Sequence, residues 1–155
     1  MRKFNLKSLL YYTLIPLMLA FTVSMLIPSY SDFYSKLIKP VDVKPIIFIV
    51  VWSILYILMG ISAYLIDNSG NEYIKSSLIL YYTQLFLNLL WPIVFFGMKK
   101  LLLSSGIIVL LDILVMILII KFYRIRKSAG YLLIPYIIWL LFASYLNISI
   151  YYLNR

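Results

Sequence analysis

Five apolar runs, each long enough to cross a lipid bilayer, constrain the fold of this chain more than any other feature. They cover about residues 8–28, 46–66, 74–97, 101–122 and 130–152, and a hydrocarbon core about 30 Å thick needs about 20 apolar residues per helix. Because 65% of the residues are hydrophobic and only 12% are charged, no water-soluble fold of this size could hide the apolar surface. The runs are continuous rather than alternating, which favours helices over a barrel. We therefore predict an all-α membrane protein with one domain, residues 1–155, folded as a bundle of five transmembrane helices.

The first run follows Arg2, Lys3 and Lys7, as in a secretory signal peptide. It is too long for a signal peptide and no small-residue cleavage site follows Pro28, so we interpret it as a membrane helix. Lys and Arg are more numerous in the N-terminal tail and the loops after the second and fourth runs, which favours a cytoplasmic N-terminus. The absence of an Arg- and Ser-rich transit peptide favours a bacterial plasma membrane. The net charge of +9 is scattered among loops, which predicts contact with lipid headgroups rather than with nucleic acid.

The chain contains no Cys and no His. It therefore lacks the usual ligands of zinc and haem and the usual imidazole base of a nucleophile, and we predict no metal site and no required cofactor. Asp112 is the one carboxylate inside an apolar run, with Ser105 on the same helical face. Two interpretations apply, a hydrogen-bonded structural residue or a proton relay, and the missing second intramembrane base favours the first.

Three runs carry amides, aromatic rings and small residues at helical spacing, so that each set lies on one face of its helix. These faces are either packing surfaces between helices or the walls of a shared pocket, apolar with a few orienting polar groups. We favour a pocket. Gly60 and Ala63 permit close approach of a neighbour and are candidates for a dimer interface. The three sets are Trp52, Tyr56, Met59, Gly60 and Ala63; Gln84, Asn88, Trp91 and Phe95; and Trp139, Ala143, Asn147 and Ile150.

Two connections bear on the arrangement of the helices. The longest, residues 29–45, is rich in Tyr, Lys and Pro, which predicts a semi-rigid segment able to act as a lid over the pocket. The connection at Lys99 and Lys100 spans only a few residues, so the third and fourth membrane helices are predicted to be antiparallel neighbours.

Four ordered motifs covering about residues 30–154 resemble the TspO/MBR family of tryptophan-rich sensory proteins and translocator proteins, also called peripheral-type benzodiazepine receptors. The fifth run carries the most specific of them, and the other three lie in the first loop and on the second and third runs. The motifs are Leu132-Leu133-Ile134-Pro135-Tyr136-x-x-Trp139-x-x-Phe142-Ala143-x-x-Leu146-Asn147; Tyr34-x-x-Leu37-x-Lys39-Pro40; Val51-Trp52-x-x-Leu55-Tyr56-x-x-Met59-Gly60; and Gln84-x-x-x-Asn88-x-x-Trp91-x-x-x-Phe95-Phe96.

The first loop departs from the family pattern. The family typically has a Trp and a Pro-Pro pair after its Lys-Pro, whereas this chain reads Val41-Asp42-Val43-Lys44-Pro45 after Pro40. The shape and ligand preference of the lid are therefore expected to differ. Leu146, Tyr151 and Arg155 fit a loose sterol-binding pattern, but chance explains such a match in a chain with 15 Tyr.

The resemblance implies a five-helix bundle, commonly a homodimer, that binds porphyrins, sterols and synthetic lipophilic ligands in a cavity closed by the first loop. Protoporphyrin IX or haem is the expected ligand: aromatic faces stack on its ring, amides bond its polar edge, and Lys39 or Lys44 pairs with its propionates. The ligand-binding residues so expected are Tyr34, Lys39, Pro40, Trp52, Tyr56, Gln84, Asn88, Trp91, Phe95, Trp139, Phe142, Ala143, Leu146 and Asn147.

Three functions remain open from the sequence. The first is a tetrapyrrole-binding protein, with sterol-like lipids as alternative cargo, that acts as a sensor, regulator or transporter. The second is light-dependent breakdown of protoporphyrin, in which the oxidisable rings of Trp52 and Trp139 would be the catalytic partners. The third is a structural or regulatory membrane protein whose polar faces only hold helices together.

Overall fold

The computed structural model describes residues 4–27 and 30–155. Arg2, Lys3 and Pro28, used above to judge the N-terminal segment, lie outside the described residues. Within the described part the secondary structure is helical. The helices are α1 (Leu6–Met25), α2 (Tyr30–Lys36), α3 (Pro45–Asp67), α4 (Ile74–Pro92) followed by a π-helical turn (Ile93–Gly97), α5 (Leu101–Ile125), α6 (Lys127–Leu132) and α7 (Ile134–Leu153).

Five helical segments of the described chain are long and apolar enough to cross a membrane. The predicted five-helix membrane bundle is thereby confirmed, with small shifts in the bounds. The five segments are Leu6–Met25, Pro45–Asp67, Ile74–Gly97, Leu101–Ile125 and Lys127–Leu153.

Proline residues interrupt two of the five segments. Pro92 ends the regular part of α4, and the chain continues as a π-helical turn in which the Met98 amide donates to the Ile93 carbonyl at 2.8 Å. Pro135, in the first turn of α7, separates that helix from α6. Because proline has no amide hydrogen, it cannot continue the hydrogen-bond ladder of the preceding turn. These two irregularities were not predicted from the hydropathy of the runs.

The helices pack around a continuous apolar core. α1 lies against α3, α5 lies between α4 and α7, and the short α6 packs on both α3 and α5. The contact between α4 and α5 agrees with the predicted antiparallel pair, whose connection turns at Lys99 with a φ of 55°. The fully buried side chains of the core include Met59, Tyr81, Ile108, Leu111, Leu118, Phe122, Tyr136 and Leu140.

Candidate functional site

A close contact between α1 and α3 determines where the two helices separate. Pro16 has no amide hydrogen, so the carbonyl of Tyr12, one turn earlier in α1, loses its usual partner. Gly60 of α3 lies against this carbonyl, and a Cβ added to Gly60 would come within 2.6 Å of the Thr13 Cα. The N-terminal half of α1 is therefore in backbone contact with α3, whereas a cavity separates its C-terminal half from α3 and α4.

The cavity has a volume of about 720 Å³, a size typical of small-molecule sites in proteins. One wall is the C-terminal half of α1, the second is the N-terminal half of α3, and the third is the end of α4 with its π-helical turn. Most of the surface is apolar or aromatic. The lining residues are Leu17, Met18, Ala20, Phe21, Thr22, Val23, Ser24, Ile27, Tyr34, Pro45, Phe48, Ile49, Trp52, Ser53, Tyr56, Asn88, Leu89, Trp91, Pro92 and Phe96.

A buried chain of hydrogen bonds joins α3, α4 and α7 at the inner end of the cavity. The Tyr56 hydroxyl donates to Asn88 Oδ1 at 2.5 Å, and Asn88 Nδ2 donates to the Tyr136 hydroxyl at 2.9 Å. The Tyr136 hydroxyl in turn donates to Gln84 Oε1 at 2.9 Å. Because buried polar groups are costly without partners, this chain fixes the relative positions of three helices. Tyr56 and Asn88 are its members that reach the cavity surface.

A second network holds the indole of Trp91 in the cavity wall. Trp91 Nε1 donates to Asn147 Oδ1 at 2.8 Å, and Asn147 Nδ2 donates to the Ser105 hydroxyl at 2.6 Å. Trp91 also stacks on Phe95, with ring centroids 5.3 Å apart. The Trp91 ring is thus oriented by contacts from α5, α7 and the π-helical turn.

The connector predicted to be a lid contributes one residue of α2 to the cavity lining. Tyr34 of α2 lines the cavity, and its ring meets Phe48 and Phe96 edge to face, each with centroids 6.1 Å apart. Lys39 Nζ donates to the Tyr34 carbonyl at 3.1 Å and forms an ion pair with Asp42 at 3.4 Å. The lid is therefore stabilised by its own polar contacts and by aromatic contacts with the bundle.

A sequence model of the TspO/MBR family matches residues 12–153. The chain belongs to the TspO/MBR family. It is 41% identical over 128 residues to the tryptophan-rich protein TspO of Chlorobaculum tepidum, covering 80% of each chain. It is 38% identical over 130 residues to TspO of Archaeoglobus fulgidus, covering 81% of this chain and 82% of the relative. It is 36% identical over 124 residues to the protein CrtK of Rhodobacter capsulatus, covering 78% of each.

Membership of this family and five apolar helices make the chain an integral membrane protein. Of the predicted site residues of this TspO/MBR protein, those that line the cavity come from α2, α3 and α4: Tyr34, Trp52, Tyr56, Asn88 and Trp91. They were predicted from helical spacing and motif resemblance, and the fold brings them to one surface.

The fifth membrane segment of this TspO/MBR protein lies behind the cavity wall rather than on its surface. The Trp139 ring packs against Phe48, with centroids 5.8 Å apart, and against Phe142 at 5.4 Å. Ala143 and Leu146 are buried in the helix packing, and Asn147 acts through Trp91. None of these α7 residues lines the cavity, so direct ligand contact by this group stays a prediction that the cavity geometry does not support.

Four other residues predicted to bind the ligand are also not among the residues that line the cavity. Gln84 accepts from the Tyr136 hydroxyl, and its Nε2 donates to Met59 Sδ at 3.8 Å. Phe95 is covered by Trp91 and Phe33. Lys39 is engaged by Tyr34 and Asp42 within the lid, and Pro40 lies in the turn beside it; neither side chain lines the cavity. The pairing of Lys39 with ligand propionates is thus not supported by its position.

Gly60 and Ala63 lie inside the protomer of this TspO/MBR protein. Ala63 is fully buried, and Gly60 contacts the backbone of α1 in the same chain. Their small size serves packing within one chain, so their position does not support their assignment to a dimer interface, which stays a prediction.

Asp112 forms a hydrogen bond that favours the structural interpretation. Its Oδ2 accepts from the Ser144 hydroxyl at 2.7 Å, which joins α5 to α7. Ser105, predicted on the same face of α5, also bonds α7: it accepts from Asn147, and it donates to the Leu101 carbonyl. The cavity surface does not include Asp112.

Eight of the lining residues that the sequence analysis missed lie in α1 or just after it, and the others are Pro45, Phe48, Ile49, Ser53, Leu89, Pro92 and Phe96. The segment from Leu17 to Ile27 forms a full wall of the cavity, yet it carries none of the aromatic or amide pattern that drew attention to the other helices. The signal that could have pointed to it is Pro16, which marks a helix position where a neighbour can approach a free carbonyl.

Proposed function

We propose that this TspO/MBR membrane protein binds a broad, lipophilic ligand of the tetrapyrrole class in the cavity between α1, α3 and α4. The observation that carries the proposal is the cavity itself, about 720 Å³ and walled by Trp52, Trp91, Phe48 and Phe96. Indole and phenyl faces pack well on an extended π-system. Sterol-like lipids are the alternative cargo for a cavity with so apolar a lining.

The polar groups of the cavity suit a ligand with one polar edge. Tyr56 and Asn88 provide hydroxyl and amide atoms at the inner end, and the lid supplies Tyr34 at the other. A mostly apolar pocket with a few oriented polar groups is typical of sites that select a ligand by shape first and by hydrogen bonds second.

Binding is tested by titration of the purified protein in detergent with protoporphyrin IX, with Trp emission as the signal. Trp52 and Trp91 line the cavity, so we expect saturable quenching in the micromolar range. Trp52→Phe and Trp91→Phe should each reduce the quenched amplitude more than Trp139→Phe does.

A cavity-filling variant separates specific binding from partition into the detergent. Ala20 lines the cavity on α1, whereas Leu14 on the same helix is exposed. Ala20→Phe should weaken affinity about ten-fold or more, since it occupies space the ligand needs, and Leu14→Phe should leave affinity unchanged. Equal quenching curves for wild type and Ala20→Phe would refute binding in this cavity.

A further inference from the structure

The hydroxyl of Tyr34 has no hydrogen-bond partner among the residues that the structure describes, 4–27 and 30–155. The residue is only 8% exposed and lines the cavity. A buried hydroxyl without a partner costs on the order of 1–3 kcal/mol, so such a group in a native cavity calls for an explanation.

The ring of Tyr34 is held so that its hydroxyl has little freedom to find a partner elsewhere. Phe48 and Phe96 contact the ring edge to face, and Lys39 Nζ lies 4.6 Å from the ring centroid. The same ammonium is bonded to the Tyr34 carbonyl. These contacts fix the position of the side chain at the lid end of the cavity.

Every other hydroxyl on the cavity surface already has a protein acceptor. Thr22, Ser24 and Ser53 donate to backbone carbonyls of their own helices at 2.7–2.8 Å. The Tyr56 hydroxyl donates to Asn88. Among the hydroxyls of the cavity-lining residues, that of Tyr34 is therefore the one with no acceptor in the described part of the protein.

We propose that the Tyr34 hydroxyl donates a hydrogen bond to a carboxylate or carbonyl oxygen on the edge of the bound ligand, and that this bond selects macrocycles with an acceptor-bearing periphery over purely hydrocarbon ones. The inference rests on the proposed function and adds the recognised chemical group. It also replaces Lys39 as the polar contact of the lid, since Lys39 is engaged by the lid itself.

The charge state of Tyr34 agrees with a donor role. Burial, with a smaller contribution from the negative charge of Asp42, raises the pKa of the phenol above its ordinary value. The hydroxyl therefore keeps its proton at neutral pH. A carboxylate acceptor is also compatible with the lid charge, because residues 30–45 contain Lys36, Lys39 and Lys44 against Asp32 and Asp42.

The test compares two probes with the same macrocycle, mesoporphyrin IX with two propionates and etioporphyrin with alkyl groups only. Tyr34→Phe should weaken mesoporphyrin binding about ten-fold, the effect of one hydrogen bond to a charged group, and change etioporphyrin binding less than two-fold. The affinity of each ligand is compared between variants, so the contribution of ligand partition into detergent cancels. Tyr145→Phe, at an exposed position of α7, is the matched control and should change neither affinity.

Folding of the variant is checked by thermal unfolding. Since the hydroxyl has no partner among the described residues, Tyr34→Phe should not lower Tm. An equal loss of affinity for both probes would overturn the inference and assign Tyr34 a packing role, and no loss for either would overturn it as well. Failure of wild type to bind both probes would instead reject the proposed function on which it rests.

Discussion

The side-chain amide of Asn154 bonds both backbone polar groups of Ile38, 116 positions earlier in the chain. The Ile38 amide donates to Asn154 Oδ1 at 2.9 Å, and Asn154 Nδ2 donates to the Ile38 carbonyl at 2.8 Å. One residue beyond α7 therefore pairs with the lid connector as a neighbouring strand would. This contact ties the connector that follows α2 to the end of α7.

Removal of this pair should loosen the lid. Asn154→Ala deletes both hydrogen bonds to Ile38, each worth about 1 kcal/mol, together with a bond from Nδ2 to the Ile150 carbonyl within α7. We therefore expect the open fraction of the lid to rise several-fold. The chain has no Cys, which makes Ser53→Cys, on the cavity surface, the sole thiol. Its rate of modification by a charged methanethiosulfonate reagent should rise about three- to ten-fold in the Asn154→Ala background.

Asn71 provides the matched control for the lid experiment. Its Oδ1 accepts from the Tyr73 amide at 2.8 Å in the loop between α3 and α4. Asn71→Ala should leave the modification rate unchanged. An unaltered rate in Asn154→Ala would show that the aromatic contacts of Tyr34 are sufficient to hold the lid.

The same Gly→Ala substitution should change the stability of the protein in opposite directions at Gly60 and Gly106. A Cβ at Gly60 would clash with the α1 backbone at Tyr12 and Thr13, so Gly60→Ala should destabilise the protein by about 1–3 kcal/mol. Within the described part of the chain, no atom lies within 4 Å of a Cβ built at Gly106 in α5, so Gly106→Ala should be neutral or stabilising by up to about 1 kcal/mol. Thermal unfolding in one detergent measures both, and a stable Gly60→Ala protein would contradict the close contact.

Asn88 and Gln84 lie in one hydrogen-bond chain but differ in their distance from the cavity. Asn88→Leu removes partners from the Tyr56 and Tyr136 hydroxyls and should cost about 1–2 kcal/mol of stability. It also alters the cavity surface, so porphyrin affinity should fall at least five-fold. Gln84→Leu, whose side chain does not line the cavity, should cost similar stability and change affinity less than three-fold. Equal losses of affinity in the two variants would indicate that the hydrogen-bond chain affects binding only by positioning other residues.

Light-dependent breakdown of the porphyrin, the alternative activity, now makes a residue-specific prediction. Trp52 lines the cavity, whereas Trp139 lies behind Phe48. If an indole beside the ligand takes part, Trp52→Phe should slow bleaching of the illuminated complex and suppress the product, while Trp139→Phe should do so much less. Bleaching at the same rate in both variants and wild type would assign the reaction to the free photosensitiser.

Hydropathy was sufficient to predict five membrane helices, because the bilayer requires each to be about 20 apolar residues long and internally hydrogen-bonded. Helical spacing placed Trp52 with Tyr56, and Asn88 with Trp91, on single faces, and the motifs indicated the family. These properties depend on residues close together in the chain, so they can be read without knowledge of how the helices pack.

Tertiary packing decided which of those faces surround the cavity. The contact of Gly60 with the Tyr12 carbonyl brings α1 into the wall, although the sequence of α1 carries no pocket pattern. The buried bonds of Asn88 with Tyr136 and of Trp91 with Asn147 draw α7 behind the wall, so Trp139 supports rather than lines it. Such outcomes depend on how the helices pack, which is a relation among residues far apart in the chain. The periodicity of a single helix carries no information about that packing.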